Sequence, residues 1–451
     1  MKRLFSLLLI TILGITLIGC EKEDKLPEEY IFEILGSTEV SIDVGETFYD
    51  TGFIARYDKS DISSYVTITG ELDINEVGTY TLTYTLNHNG NEMSLTRLIT
   101  VGYEGISCQD VLNTDSEDSG YDKCVITWSE HLNTYVTLSM YIPNDSTVDL
   151  GQIKTDVEAM LALYTIISDK YTEYQYMVNV WTINQDPTAV HTISQELFDL
   201  IDFTLTEQAP VVDFYNAALH PVLDLWHTTR DLCSPTTTCT IPTIEALNAK
   251  NVYTDPSKII LDSENLTITM EENMGLDLGG VSKGYVSELI VDYLDTAGLY
   301  GYLLNNGQSN VSVGGVNPRT DDGSFTIAVT DPDDVYDISG NHGYAWVKLF
   351  DGEQLVTSGD YQKFYEVDNV LYHHIIDPVT LFPLYHSRAV SIVTDNAAIA
   401  DLYSTAIFNM TIEDGIAFVN GIDGLEAIWY EPDGTITYSA NFEADHLQEL
   451  R

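Results

Sequence analysis

The sequence predicts a small all-β sandwich followed by a larger α+β domain in which mixed sheets pack against helices. Three observations lead there. Residues 31–101 alternate apolar and polar with period two, the texture becomes mixed strand and helix after residue 124, and 451 residues at 44% hydrophobic content supply two or three domains with real cores.

In chain order, Lys2 and Arg3 precede an apolar run over 4–18 and then Gly19-Cys20. A basic start and a hydrophobic middle too short to span a bilayer comfortably predict an export signal over 1–20. Its ending, LIGC, resembles the bacterial lipobox, which implies a lipidated Cys20 as the first mature residue; a plain signal peptide with an incidental cysteine is the alternative. Residues 21–30, EKEDKLPEEY, read as a polar tether. Two or more acyl chains on Cys20 would hold the protein to a membrane lastingly, where a single chain would not.

Across 31–102, short runs rich in Thr, Val, Ile and Tyr are broken by DVGE, EVGT and the hairpin signal HNGN. EVGTYTLTYTL following ITGELDIN resembles the bacterial Ig-like surface repeats, which implies a spacer or adhesive module. Residues 103–123 are polar and acidic and read as a linker, leaving 124–451 as the second domain. Four further cysteines, Cys108, Cys124, Cys233 and Cys239, suggest disulfides in an exported chain. The local pairs 108/124 and 233/239 are the simplest of three connectivities; a metal site is the rival reading and lacks CxxC spacing.

The chain carries 19 Lys and Arg against 70 Asp and Glu, a formal charge of −51. Such a surface repels nucleic acid and anionic lipid alike, so nucleic acid is excluded as a partner.

In the second domain, VITWSEHLNTYVTLSMYIP predicts a strand pair, and helices are expected over 157–170 and 194–205. Val286, Leu289, Ile290, Tyr293 and Leu294 recur at helical spacing, which predicts a helix from Ser282 to Gly298. MGLDL before it reads as a strand, placing Gly279-Gly280 at a strand-to-helix turn. Backbone N–H groups there, with Lys283 beside them, would make an anion site, although neither GxxxxGK[ST] nor GxGxxG is present and tight packing is the bland alternative. In AAIADLYSTAIFNM, Asp401 and Thr405 lie one helical turn apart, a spacing that could serve a hard cation such as Mg²⁺. A helix-dipole carboxylate and a back-bonded threonine are the ordinary reading of the same pair. In YHHIIDPVTLFP, His373 and His374 are expected just before a strand, facing opposite ways, so that at most one serves a site.

LDLGGVSKGY, TSGDYQKFYEVDNVLYHHIIDP and ADLYSTAIFNM, in this order, resemble the FAD:protein FMN transferases, the ApbE-like family, over residues 127–438. DFYNAALHPVLDLW is similar to the family's flavin-pocket segment and KYTEYQYMVNVWTIN to an earlier stretch carrying an aromatic. The resemblance implies an α+β transferase domain behind the Ig-like sandwich. It implies that FAD is split at its pyrophosphate, FMN passes to a Thr or Ser hydroxyl of an exported or membrane flavoprotein, and AMP leaves. It also implies Mg²⁺ on Asp401, Thr405 and the Gly280 carbonyl, and His374 as the base. Lys283 and Asp277 would contact FAD, Tyr174 would stack on the flavin, Phe214, Tyr215 and Asn216 would line its pocket, and Ile376 would give backbone contact. Leu132, expected among the cofactor contacts, begins LNT, where the family has MGT; Tyr215-Asn216 stands for a common Phe-Asp, Leu381 for Gly, and NNGQSN for a Gly-Gly-Asn turn, while TTRDLCSPTTTC reads as an insertion. The expected setting is the outer face of the cell membrane, or the periplasmic face where an outer membrane exists. FAD hydrolysis, or a non-catalytic flavin-binding or adhesive surface lipoprotein, are the rival functions.

Overall fold

The computed structural model describes residues 30–43, 48–57, 60–74, 78–102, 105–112, 118–233, 239–307, 309–334 and 343–451. The export signal, Cys20 and the tether up to residue 29 lie outside the described residues. The chain forms two compact units, residues 1–104 and 105–451.

The first unit is all β. Tyr30–Ile34, Phe53–Tyr57 and Ser60–Asp61 form one sheet; Glu39–Asp43, Asn91–Gly102, Gly78–His88 and Val66–Thr69 form the other, in that spatial order. The hairpin signal is a two-residue turn in which Asn89 and Gly90 both take positive φ, the geometry that matches the twist of flanking strands. Phe32, Ala55, Ile62, Tyr84 and Leu86 fill one core patch, and Ile42, Ile99 and Val101 a second. Arg97 is buried, ion-paired with Asp50, and donates to the carbonyls of Ser37 and Leu35 and to the Thr51 hydroxyl. A buried guanidinium is tolerable only with its donors spent in this way.

The second unit is built on a nine-stranded sheet whose strands lie side by side in chain order: Ile106–Leu112, Asp118–His131, Thr134–Pro143, Gly301–Asn306, Asn310–Gly315, Gln354–Gly359, Ala389–Thr394, Glu426–Tyr430 and Ile436–Tyr438. Every neighbouring pair is antiparallel. All but the last, short helix are excursions between consecutive strands of this sheet, after the third strand and after the seventh. Leu150–Ile167 buries Ile153, Val157, Leu161, Tyr164 and Ile167, one stripe of a 3.6-residue period, against Ile126, Leu138 and Met140 of the sheet. Each such side chain contributes roughly 1.5–3 kcal/mol by leaving water. Ala397–Phe408 is apolar on nearly every face and sits inside the core.

Several expectations shift. The segment 103–123, expected as a linker, carries the edge strand Ile106–Leu112 and the start of Asp118–His131, which pair so that Cys108 faces Cys124 across a disulfide. An edge strand needs little apolar side-chain burial, so its acidic composition hid it. The first long helix begins at Leu150, seven residues before the apolar stripe was readable, because Asp149 caps it by accepting from Gln152 N at 3.0 Å. The helix at 195–207 is capped by Ser194, and Ser282–Thr296 ends two residues before Gly298, whose φ is +78°. The second cysteine pair, Cys233–Cys239, is also joined.

Candidate active site

Residues 274–278, expected as a strand, join no sheet. A side chain stands in for the missing neighbour: Leu276 N donates to Asn184 Oδ1 at 2.7 Å, and Asn184 Nδ2 returns a bond to Leu276 O at 2.9 Å, while Asp277 N donates to Ala217 O at 2.8 Å. The glycine turn that follows is not an open cradle of amides. Gly279 N donates to Asp277 Oδ1, Val281 N and Ser282 N both donate to Leu278 O, and Gly284 N donates to Asp401 Oδ2 at 2.8 Å. Gly280 N donates to no atom among the described residues, so an anion at this turn would draw on that amide together with side-chain charge.

What the glycines provide is closeness. A Cβ on Gly284 would lie 2.2 Å from Ala397 O and 2.5 Å from Asp401 Cβ, so the Ser282–Thr296 and Ala397–Phe408 helices touch only because it is absent. A Cβ on Gly280 would lie 2.9 Å from Tyr215 Cε2 and 3.2 Å from Thr405 Oγ1. Gly280, Asp401 and Thr405 thus meet at one corner. Asp401 is 5% exposed, and its Oδ1 accepts no hydrogen bond among the described residues. Thr405 Oγ1 bonds back to Asp401 O at 3.2 Å and keeps its lone pairs, and no hydrogen bond among the described residues ends on the Gly280 carbonyl. No cluster of three or more His, Cys, Asp or Glu suited to a metal occurs among the described residues. A single carboxylate beside neutral oxygens still fits Mg²⁺, which keeps its waters and shares phosphate oxygens.

Beside this corner four cations gather in an otherwise acidic protein. Lys170 is ion-paired with Asp277, and Lys283 donates to Ser309 Oγ. Arg230 and Lys363 line a crevice with Trp226, His227, Tyr365, Tyr372, His373 and His374. Burial would raise the Asp277 carboxyl, but Lys170, His227 and the Gly279 N–H outweigh it and hold Asp277 well below the usual carboxylate range. Burial, then the charges of Lys283, Arg230 and Lys170, lower Lys363, whose side chain still reaches solvent.

His374 follows the strand Val370–His373 rather than preceding one. Its backbone N and its Nδ1 both reach the Lys363 carbonyl, at 3.0 and 3.2 Å. A carbonyl only accepts, so Nδ1 carries the proton and Nε2 presents a lone pair. Burial first, and then the charge of Lys363, lower its pKa to about 3, so the ring is neutral at physiological pH. His373 is a core residue: Nε2 bonds Leu384 O at 2.8 Å, and the ring packs edge-on against Tyr385 and Phe408.

The remaining expected residues play varied parts. Tyr215 is buried at the Gly280 corner. Asn216 gives Nδ2 to Thr254 O and accepts from Ala218 N with Oδ1, both at 2.8 Å, so its amide anchors its own loop. Phe214 packs on the main core and accepts at its carbonyl from Asn409. Tyr174 donates to Asp169 in the loop that carries Lys170. Ile376 packs with Trp226 and Leu381. Leu132 occupies the tight turn between two sheet strands, with φ of +48°, and its N–H donates to Thr165 Oγ1; no contact among the described residues ties it to the Gly280 corner. Sequence reasoning missed Asn184, Lys170, His227, Arg230 and Lys363. For two of them a signal existed: His220, His227 and Arg230 share one face of the His220–Leu232 helix.

Residues 132–429 match the ApbE family model, and residues 32–101 match the bacterial surface protein, Ig-like domain model. The FAD:protein FMN transferase of Klebsiella pneumoniae (strain 342) is 26% identical over 252 residues, covering 55% of this chain and 73% of the relative. That of Treponema pallidum (strain Nichols) is 25% identical over 304 residues, covering 62% and 80%. The crystal structure of the ApbE protein from Thermotoga maritima aligns with a TM-score of 0.61 at 22% identity, over 72% of this chain and 98% of that one. The apo flavinyl transferase ApbE of Pseudomonas stutzeri gives 0.58 at 22%, over 72% and 96%. These two structures establish the likeness of fold. The family model spans well over half of the residues, and with it the conclusion is direct: this chain belongs to the ApbE family.

Proposed function

We propose that this flavin transferase moves FMN from FAD onto a Thr or Ser hydroxyl of an exported or membrane flavoprotein and releases AMP, with Mg²⁺ required. The observation that carries the reading is the meeting of Gly280, Asp401 and Thr405 beside Lys170, Lys283, Arg230 and Lys363. A diphosphate is the ligand whose charge suits that neighbourhood, and a chain whose overall charge is −51 leaves few other places for one. Asp401, Thr405 and the Gly280 carbonyl would hold Mg²⁺, which when bound supplies charge neutralisation to the phosphates.

The chain's own residues do the rest. Lys283 and its cationic neighbours hold the diphosphate and offset charge that grows on it in the transition state. The acceptor oxygen bonds to the phosphorus of the FMN half, the P–O bond to the AMP half breaks, and His374 Nε2 takes the hydroxyl proton. Anions near Lys363 and Lys283 would cancel the charges that depress His374, so substrate binding itself makes the base stronger. Asp277 is engaged with Lys170, so its part is to fix that lysine at the site.

We place the enzyme outside the cell membrane, held by a lipidated Cys20 with the Ig-like unit as spacer; no helix among the described residues is long and apolar enough to cross a membrane.

Incubation of the ectodomain with FAD, Mg²⁺ and a candidate acceptor should release AMP and add an FMN-sized mass to the acceptor. His374→Ala should keep FAD binding and lose transfer about 10²–10⁴-fold, while Asp401→Ala should lose metal-dependent activity. AMP and free FMN with an unmodified acceptor would instead favour hydrolysis, and unchanged transfer by both variants would exclude the mechanism.

A further inference from the structure

Tyr215 is 7% exposed, and its hydroxyl is buried without a hydrogen-bond partner in the fold. Buried polar atoms are nearly always satisfied, so an orphan beside a ligand site asks for a partner that arrives with the ligand. The position is specific. Cε2, one bond from the carbon that bears the hydroxyl, lies 2.9 Å from the point where a Gly280 Cβ would stand, and Thr405 Oγ1 lies 3.2 Å from the same point. The hydroxyl end of the ring therefore lies against the corner of Gly280, Asp401 and Thr405.

The nearby carboxylates do not satisfy it. Asp277 is taken by Lys170 and Gly279 N, and Asp401 Oδ2 by Gly284 N. An ordinary phenol is protonated at neutral pH, so the group is an O–H donor. Water bound to a cation donates its protons and accepts poorly, whereas a phosphate oxygen only accepts.

We propose that the Tyr215 hydroxyl donates a hydrogen bond to a phosphate oxygen of the bound dinucleotide, making it a binding residue for the diphosphate. This rests on the FMN transferase reading above. It predicts that the hydroxyl is idle or costly in the free protein and useful only once the diphosphate is present.

The test compares the full chain with Tyr215→Phe, which keeps the ring. Affinities for FAD, for ADP with Mg²⁺, and for riboflavin, which has no phosphate, are read by flavin fluorescence or calorimetry, and melting temperatures are taken without ligand and with Mg²⁺ alone. The expected result is a roughly tenfold weaker affinity for FAD and for ADP with Mg²⁺. Riboflavin binding and the Mg²⁺-induced melting shift should be unchanged, and the free protein should melt at the same temperature or higher. Equal FAD affinity in both proteins would overturn the assignment. So would an equal loss for riboflavin, a lost response to Mg²⁺ alone, or a lower melting temperature of the free variant. A wild-type protein that binds neither FAD nor ADP would sink the transferase reading itself, a result distinct from tight binding that the substitution leaves untouched.

Discussion

Leu381 has φ of +65° and is 1% exposed. A left-handed leucine costs on the order of 1–2 kcal/mol, and here the side chain offsets it by filling the patch around Trp226, whose Nε1 donates to the Leu381 carbonyl at 3.0 Å. The positive φ of Leu381 was not legible in the sequence, because leucine gives no conformational signal of its own. His374 and Lys363 show the same limit: a His-His pair can be read from the chain, whereas a lysine eleven residues before His374 whose carbonyl sets the tautomer cannot. A charge effect follows. Lys363→Met keeps that carbonyl but removes a positive charge, so the imidazolium is penalised less and the pKa of His374 rises from about 3 toward its ordinary value. The acid limb of the kcat/KM profile for FAD should then move to higher pH by roughly half a unit to one unit, with activity lost sooner on acidification. An unmoved limb in the pH–rate profile would remove His374 from the base role or Lys363 from its surroundings.

Among elements, the pair of helices carrying the glycine turn and Asp401 decides whether a site exists. Their contact depends on Gly284, and an added methyl has backbone on one side and Asp401 on the other. Gly284→Ala should therefore destabilise the fold by roughly 1–3 kcal/mol, seen in urea unfolding, and weaken Mg²⁺-dependent FAD binding more than Gly279→Ala does. At Gly279 the nearest atom to such a methyl is Asp277 Oδ1, at 3.0 Å. Equal effects of the two would show that helix separation does not control the corner. Helix Ser282–Thr296 was readable because its stripe is regular, and Asp401 and Thr405 because one turn separates them. The approach to the turn was not readable, since Asn184, ninety-two residues earlier, supplies the bonds that a neighbouring strand would have given. Long-range pairing of that kind leaves no periodic trace.

For the molecule as a whole, the order of modules and the α+β class followed from the change in periodicity near residue 124, whereas the arrangement of nine strands in chain order did not, because helical excursions after the third and the seventh strand separate in sequence the strands that lie side by side in the sheet. The charge of −51 was plain, but not its exception at Lys170, Lys283, Arg230 and Lys363. These two features pull salt dependence in opposite directions. Screening shortens from about 10 Å at 0.1 M to about 3 Å at 1 M salt, which relieves repulsion among surface carboxylates and also weakens attraction between the cations and a diphosphate. Raising sodium chloride across that range should raise the melting temperature while weakening FAD affinity. A melting temperature that falls, or an affinity that is indifferent to salt, would count against this division of charge.

The bridge between Cys108 and Cys124 joins residues that already face each other across the outermost strand of the large sheet and its neighbour. It works as a stitch along a hem. A chain matured among strong reductants would lack the stitch, and the loosened border could peel back and offer its bare peptide groups to another molecule, so the architecture is best suited to surroundings in which thiols oxidise.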